Sequence, residues 1–452
     1  MKILESKFYD LLNLFLSKIQ DKTDNIRKNS LILSSLDKFI LLFIILTVVS
    51  SLFVQSEIMG IISFAIPVLV CLKVLITKGE KIELEKSNFF LLVYLFICLI
   101  SNFTSSMLPQ SLYGYMKTLI YFAFYFALCQ FFKANKKFIL PVIILIALCT
   151  SFESIIGLIQ NTLGLENIAT WQDTSYVNPE HLLSRVYGSL KPYNPNLYAA
   201  FLLVGMPSIL ALGFIYLKTN LKKFSVIPFL LFFVTCFALF ISGCRGAYIG
   251  LFAIFVGIVI ASFIYIFNDL NNNKLKILWK KLFLTFSGLG VSFLLLNQSI
   301  LKRLLSIFIL RGDSSTSFRM NVYNSSIQMF QDNWICGIGV GNKVFREIYG
   351  LYMISGFDAL SSYCVFLEIC VESGIFALMA FLLFLGTLLT NGVVAFIKNK
   401  DYNIKVLIFA TFISVLAVII HGFVDTVFYR PQVQYLFWIM VAILTTLIRE
   451  EK

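Results

Sequence analysis

Long apolar runs separated by short polar breaks dominate the chain. A helix crossing a bilayer needs about 20 apolar residues. Counted on that basis, twelve runs qualify: 39–55, 58–76, 88–107, 111–132, 138–159, 196–217, 224–242, 246–267, 280–298, 362–390, 404–421 and 432–448. The pattern predicts an all-α, polytopic integral membrane protein. Pro67, Pro141 and Pro207 fall within or near the ends of runs, where kinks or a hinge are expected.

Two polar intervals, 160–195 and 299–361, are too long to be linkers. The first holds Trp171, His181, Arg185 and the run GSLKPYNPN. The second, between the ninth and tenth spans, carries SSTSFRMNVYNSSIQMFQDNWICGIGVGN from Ser314 to Asn342. Hydroxyl residues open that stretch and can cap a helix. Met320, Tyr323, Ile327 and Phe330 then recur at helical spacing, predicting one apolar face. Gly337, Gly339 and Gly341 should end the helix in a turn that permits close backbone approach. With no preceding strand, GIGVGN is not read as a dinucleotide fingerprint. Ile300–Arg311 alternates apolar and basic residues, as an interfacial helix would.

At the N-terminus, Leu4, Phe8, Leu11, Phe15 and Ile19 share a helix face, with Lys2, Lys7, Lys18 and Lys22 interleaved. No apolar core of signal-peptide length follows the first lysines. Residues 1–37 therefore read as a cytoplasmic amphipathic segment, lying on the membrane surface or docked on the protein. Residues 38–452 read as one transmembrane domain.

Composition narrows the class. At 59% hydrophobic and 13% charged residues, a soluble enzyme is excluded. A net charge of +13 would suggest nucleic acid, but the charges sit in short loops between apolar runs. The lipid bilayer, and not nucleic acid, is the expected partner. With the N-terminus inside, 26 Lys and Arg residues fall on the cytoplasmic side and ten outside. Lysine-rich linkers of this kind place both termini in the cytoplasm. The nine cysteines fall mostly in apolar runs without a CxxC pair and read as small buried hydrophobes.

The outer set is mostly arginine, whose planar fork of donors suits carboxylate and phosphate. Arg185, Arg245, Arg319 and Arg430 stand beside glycine, proline or a helix start, where geometry is constrained. Arg185 is read as an anion contact or a surface salt bridge. Asn194 and Asn196, at the start of the sixth span, either cap that helix or bind a hydroxylated ligand. Arg245 in SGCRGA is functional or snorkels to the interface, and Gly246 and Gly250 form a small-xxx-small packing pattern. Arg319 stands at the head of the predicted helix, facing an anion or paired with Asp313 or Asp332. In HGFVDTVFYRPQ, His421 and Asp425 are spaced to share a helix face. They form a candidate catalytic base or a structural network sealing a helix end. With two histidines and no Cys/His spacing, no metal site and no cofactor are expected.

These residues in this order resemble the O-antigen ligase and O-antigen polymerase superfamily. The motifs are YNPNLYAAFLL, SGCRGAYIGLF, SFRMNVYNSSIQMFQDNWICGIGVGN and FLEICVESGIFAL. DALSSYCVFLEICVESG and HGFVDTVFYRPQVQ look most similar to the branch named for inorganic carbon (bicarbonate) transport in cyanobacteria. The resemblance implies about twelve helices with a large periplasmic loop in the bacterial inner membrane. It implies metal-independent glycosyl transfer from an undecaprenyl diphosphate carrier. On that pattern Arg185, Arg245 and Arg319 hold the diphosphate. The family histidine that activates the acceptor is replaced by Tyr363, followed by Cys364. A phenol with an ordinary pKa of about 10 is a poor base, so Tyr363 is taken as a substrate-binding position. Two functions follow: binding, and possible transfer, of a lipid-diphosphate-linked glycan, or transport of a small anion such as bicarbonate.

Overall fold

A computed structural model describes residues 2–82, 85–165, 185–220, 222–270, 272–296 and 314–449. Trp171, His181, Ile300–Arg311 and Asp313 lie outside the described residues.

Regular structure among the described residues is helical, with no strand. In chain order the main helices are α1 (Lys2–Asn29), α2 (Leu36–Phe53), α3 (Ser56–Ile76), α4 (Lys86–Thr104), α5 (Leu108–Ala134), α6 (Ile139–Thr162), α7 (Pro195–Leu217), α8 (Val226–Ile241) and α9 (Arg245–Ile264). There follow α10 (Asn273–Leu296), α11 (Ser314–Asp332), α12 (Asn342–Tyr349), α13 (Val365–Lys398), α14 (Tyr402–His421) and α15 (Pro431–Arg449). Eleven helices among the described residues are long and apolar enough to cross a membrane, and they match eleven of the twelve expected runs.

The remaining run, 280–298, falls on α10. Asp269, just beyond α9, meets Lys405 at the start of α14, whereas Arg319 of α11 bonds to Val424, beyond the end of α14.

The core is built around α7 and α15, whose apolar windows are 83% and 94% buried. Both are apolar all round, as buried helices are. The outer helices turn residues such as Phe96, Leu230 and Phe252 outward, where lipid receives them.

Helix α1 docks on the protein. Leu16, Gln20 and Asp24, at i, i+4 and i+8, are buried, while Phe15 of the expected apolar face is exposed. Gln20 Nε2 donates to the Val74 carbonyl at 2.7 Å, and its Oε1 accepts from the Gly79 amide at 3.2 Å. The last carbonyls of a helix such as α3 lack partners of their own, and Gln20 supplies one.

Helix α11 is rotated from expectation. It buries Val322, Ser325, Ser326 and Met329, while Met320 and Ile327 are exposed. Val322 and Met329 pack with Val344, Phe345, Tyr349 and Val371, and the two serines lie buried beside them. It starts five residues before Arg319, so that arginine is not in its first turn.

Helix α13 is broken inside the bundle at Gly374, where φ is 80° and ψ is 177°. The segment Trp334–Gly341 fills the break. Ile375 donates to the Trp334 carbonyl at 2.9 Å, Ile338 to Val371 at 2.9 Å and Gly339 to Glu372 at 3.0 Å. Backbone groups freed at membrane depth are thereby satisfied. A Cβ on Gly374 would sit 2.1 Å from the Ile335 oxygen, and one on Gly337 2.4 Å from the Glu372 backbone. The glycines of GIGVGN thus serve close backbone approach.

Candidate functional site

The tips of the two most buried helices, α7 and α15, meet the end of α14 at one end of the bundle. Asn194 caps α7, its Oδ1 accepting from the amides of Asn196 at 2.8 Å and Leu197 at 3.4 Å. That cap fixes Asn196 in the first helical turn.

The segment before α7 is clasped from α6. Gln160 Oε1 accepts from the Tyr187 and Gly188 amides at 3.1 and 2.9 Å, and its Nε2 donates to the Gly188 carbonyl at 2.9 Å. Glu153, fully buried, accepts from the Ser189 amide at 3.0 Å and from the Ser189 hydroxyl. Gly188 is required here, since a Cβ would lie 2.2 Å from the Glu153 carboxylate. Arg185 is held at the head of this segment.

Arg185 Nε donates to the Ser242 carbonyl at 2.8 Å, and Nη2 donates to Asn196 Oδ1 at 2.6 Å. Asn196 Nδ2 donates to Asp425 Oδ2 at 3.0 Å. The same carboxylate oxygen faces Arg319 Nη2 at 3.4 Å, while Arg319 Nη1 donates to the Val424 carbonyl at 3.0 Å. Asp425 Oδ1 accepts from the Val427 amide at 3.1 Å. Two guanidiniums therefore share one buried carboxylate through a continuous hydrogen-bonded chain. The local charge of these three groups is +1.

Burial depresses the Arg185 guanidinium below its ordinary value, and the Arg319 charge adds to that, while Cys244, Tyr248 and Asp425 oppose it. Arginine nevertheless stays charged. The guanidinium of Arg319 lies over the Tyr363 ring, 5.6 Å from its centroid. Tyr363 has φ 55°, uncommon for a non-glycine residue, and its carbonyl accepts from the Tyr323 hydroxyl at 3.3 Å. Burial raises the Tyr363 phenol, so it stays protonated at neutral pH.

His421 ends α14. Its Nε2 lies 3.6 Å from the Cys244 thiol. Gly246, in the first turn of α9, makes room for it, since a Cβ there would meet Val424 at 2.6 Å and His421 Cδ2 at 3.0 Å. Gly250 likewise admits Leu203 and the Ala417 carbonyl, the packing role its spacing predicts.

The expectation that His421 and Asp425 share a helix face is corrected. The helix stops at His421, and the Asp425 carboxylate bonds to Asn196, Arg319 and Val427. The turn His421–Asp425 turns the carboxylate towards the arginines. Arg319 pairs with Asp425, whereas Asp332 accepts from the Tyr352 hydroxyl at 2.8 Å. Arg245 opens α9 beside Cys244 and is half-buried. Arg430 is exposed at the start of α15, and among the described residues no contact joins its guanidinium to the pair. Sequence reading missed Gln160, Cys244 and Glu153. Glu153 carried a signal, being the one acid in the fifth apolar run, where an ionisable residue is costly. All nine cysteines are free thiols, and no cluster of metal-ligating residues occurs among the described residues.

Residues 229–382, about a third of the chain, match the family model described as O-antigen ligase. The matched stretch contains Arg245, Arg319 and Tyr363 and leaves Arg185, Asn196, His421 and Asp425 outside it. No curated protein matches the chain.

Proposed function

We propose that the arginine cluster binds the diphosphate of a lipid-linked glycan at the outer face of the cytoplasmic membrane, with both termini inside. The observation that carries this reading is the hydrogen-bonded chain from Arg185 through Asn196 to Asp425 and on to Arg319, two guanidiniums around a single carboxylate. Matched ion pairs seal a structure, whereas a surplus guanidinium in a partly buried recess awaits an anion. Guanidinium forks fit phosphate oxygens in bidentate fashion. The O-antigen ligase match supports the ligand class, and the lysine asymmetry supports the orientation. Arg245, at the head of α9 and inside the matched stretch, is assigned to the same anion surface.

Transfer of the glycan is the second part of the proposal. The acceptor hydroxyl attacks the anomeric carbon as the bond to the diphosphate breaks. The diphosphate leaves as an anion held by the arginines, and the hydroxyl proton passes to a base. Tyr363, a protonated phenol, is unsuited to that role. His421 is the imidazole beside the cluster and is assigned as the base.

The test uses purified protein in proteoliposomes. Arg319→Ala should weaken binding of a polyprenyl diphosphate by about 10- to 100-fold, the value of hydrogen bonds to a charged group. His421→Ala should abolish glycan transfer while binding persists. Protein that moves bicarbonate across liposomes and never binds the lipid diphosphate would refute the reading.

One observation favours transport instead. Helix α13 is broken in mid-bundle, a device by which transporters present backbone groups to cargo. The break, however, is filled by Trp334–Gly341. Glu153, Glu368 and Glu372 are buried in the helices of the same bundle, and none of them offers the positive charge that would attract an anion there.

A further inference from the structure

Asn196 occupies an unusual place in the cluster. Both ends of its carboxamide are consumed by protein: the oxygen by Arg185 at 2.6 Å, the nitrogen by Asp425 at 3.0 Å. A side chain so engaged has little left for a ligand. What it does have is a fixed length, and it stands between two cations. The backbone of Asn196 is pinned in the first turn of α7, its own amide bonded to Asn194 Oδ1 at 2.8 Å. The far partner, Asp425 Oδ2, carries Arg319. Arg185 is anchored independently on the Ser242 carbonyl, and Arg319 on the Val424 carbonyl. The separation of the guanidiniums is therefore set by these two carbonyls together with one carboxamide and one carboxylate in series.

A carboxamide meets both demands at this position. It presents an acceptor to a guanidinium and a donor to a carboxylate. Aspartate would set a second negative charge against Asp425. Leucine would leave Arg185 Nη2 without its partner and Asp425 with Arg319 and the Val427 amide alone, and glutamine would lengthen the spacer by one methylene.

We infer that Asn196 is a positioning and specificity-determining residue, holding Arg185 and Arg319 at a spacing that favours a two-phosphate head group over a one-phosphate head group. This rests on the proposed binding of a lipid diphosphate and adds to it. A monophosphate engages one guanidinium and is indifferent to where the second stands. A diphosphate engages both and gains only when they are correctly placed. Asn196 then acts on the difference between two ligands, a quantity that general loosening of the fold leaves alone.

The test measures binding of a polyprenyl diphosphate and a polyprenyl monophosphate of the same chain length to detergent-purified full-length protein. Wild-type protein should prefer the diphosphate. Asn196→Ala should lower diphosphate affinity about tenfold, as loss of one charge-assisted contact does, with monophosphate affinity changed about twofold or less. Asn196→Gln, which keeps both polar ends, should also reduce the diphosphate preference while its melting temperature stays near wild type. Equal losses for the two lipids in Asn196→Gln, or an unchanged preference, would overturn the inference while leaving diphosphate binding intact. Wild-type protein that bound neither lipid would overturn the binding reading and this inference with it.

Discussion

The two ends of the bundle both bring cations and carboxylates together, in different proportions. At the lysine-rich end, Lys73 meets Asp37 at 2.8 Å and Glu80 at 3.2 Å, Arg449 meets Glu85 at 2.6 Å, and Lys405 meets Asp269. Each of those cations has at least one acid of its own. At the opposite end, Arg185 and Arg319 share Asp425. The first arrangement ties helices and the turns between them. The second leaves positive charge in reserve. Residue type follows the same division in part: two of the three paired cations are lysines, point charges for which a pair suffices, and both cations around Asp425 are arginines, whose planar forks suit phosphate.

The comparison breaks most visibly at Lys73. Its side chain is about nine-tenths buried between Asp37 and Glu80. Removing one partner of a buried pair costs about 3 kcal/mol. Lys73→Ala should lower the melting temperature in detergent by several degrees and leave lipid-diphosphate affinity unchanged. A loss of affinity in that variant would erase the distinction between the ends.

A smaller effect is expected at Gly243. Its φ is +66°, and a Cβ would lie 3.1 Å from Arg185 Nε. Gly243→Ala must strain the turn and push the guanidinium, at a cost of about 1–2 kcal/mol. Diphosphate affinity should fall severalfold, by isothermal titration, with a modest loss of stability. Unchanged affinity would mean that the Arg185 position tolerates displacement.

The smallest effect belongs to Asn194, which caps α7 and is assigned no ligand contact. Asn194→Ala should cost about 1 kcal/mol of stability, the value of an N-cap. Its effect on the ratio of diphosphate to monophosphate affinity should be slight, in contrast to Asn196. A collapse of that ratio would move the specificity role from one asparagine to the other.

The helices were legible because the bilayer imposes length and apolarity on every crossing, as α7 and α15 illustrate. Which face each helix buries was less so. Met320 and Ile327 of α11 share a spacing that in a water-soluble protein marks the core. Here Val322 and Met329 form the buried face with Ser325 and Ser326 beside them, and Met320 and Ile327 face out. The arginines drew notice by type and context, and Asp425 did as a partner for His421, but not as the carboxylate between the arginines. The spacing of His421 and Asp425 suggested an intact helix, although Gly422, directly after a last-turn histidine, is a local stop signal that argues against it. Gln160 passed unseen because its role is to hold the backbone around Gly188, a contact between distant segments. Asn196 was noticed as a cap or ligand residue, whereas the capping falls to Asn194.

The central claim is that Arg185 and Arg319 act on one anion together. A double-mutant cycle in polyprenyl diphosphate binding, with Arg185→Ala, Arg319→Ala and the pair, tests it most directly. Residues sharing a partner couple by about 0.5–3 kcal/mol. The account predicts a large loss for each single variant and a double variant scarcely worse than either. Strictly additive losses, or single variants that bind like wild type, would contradict it.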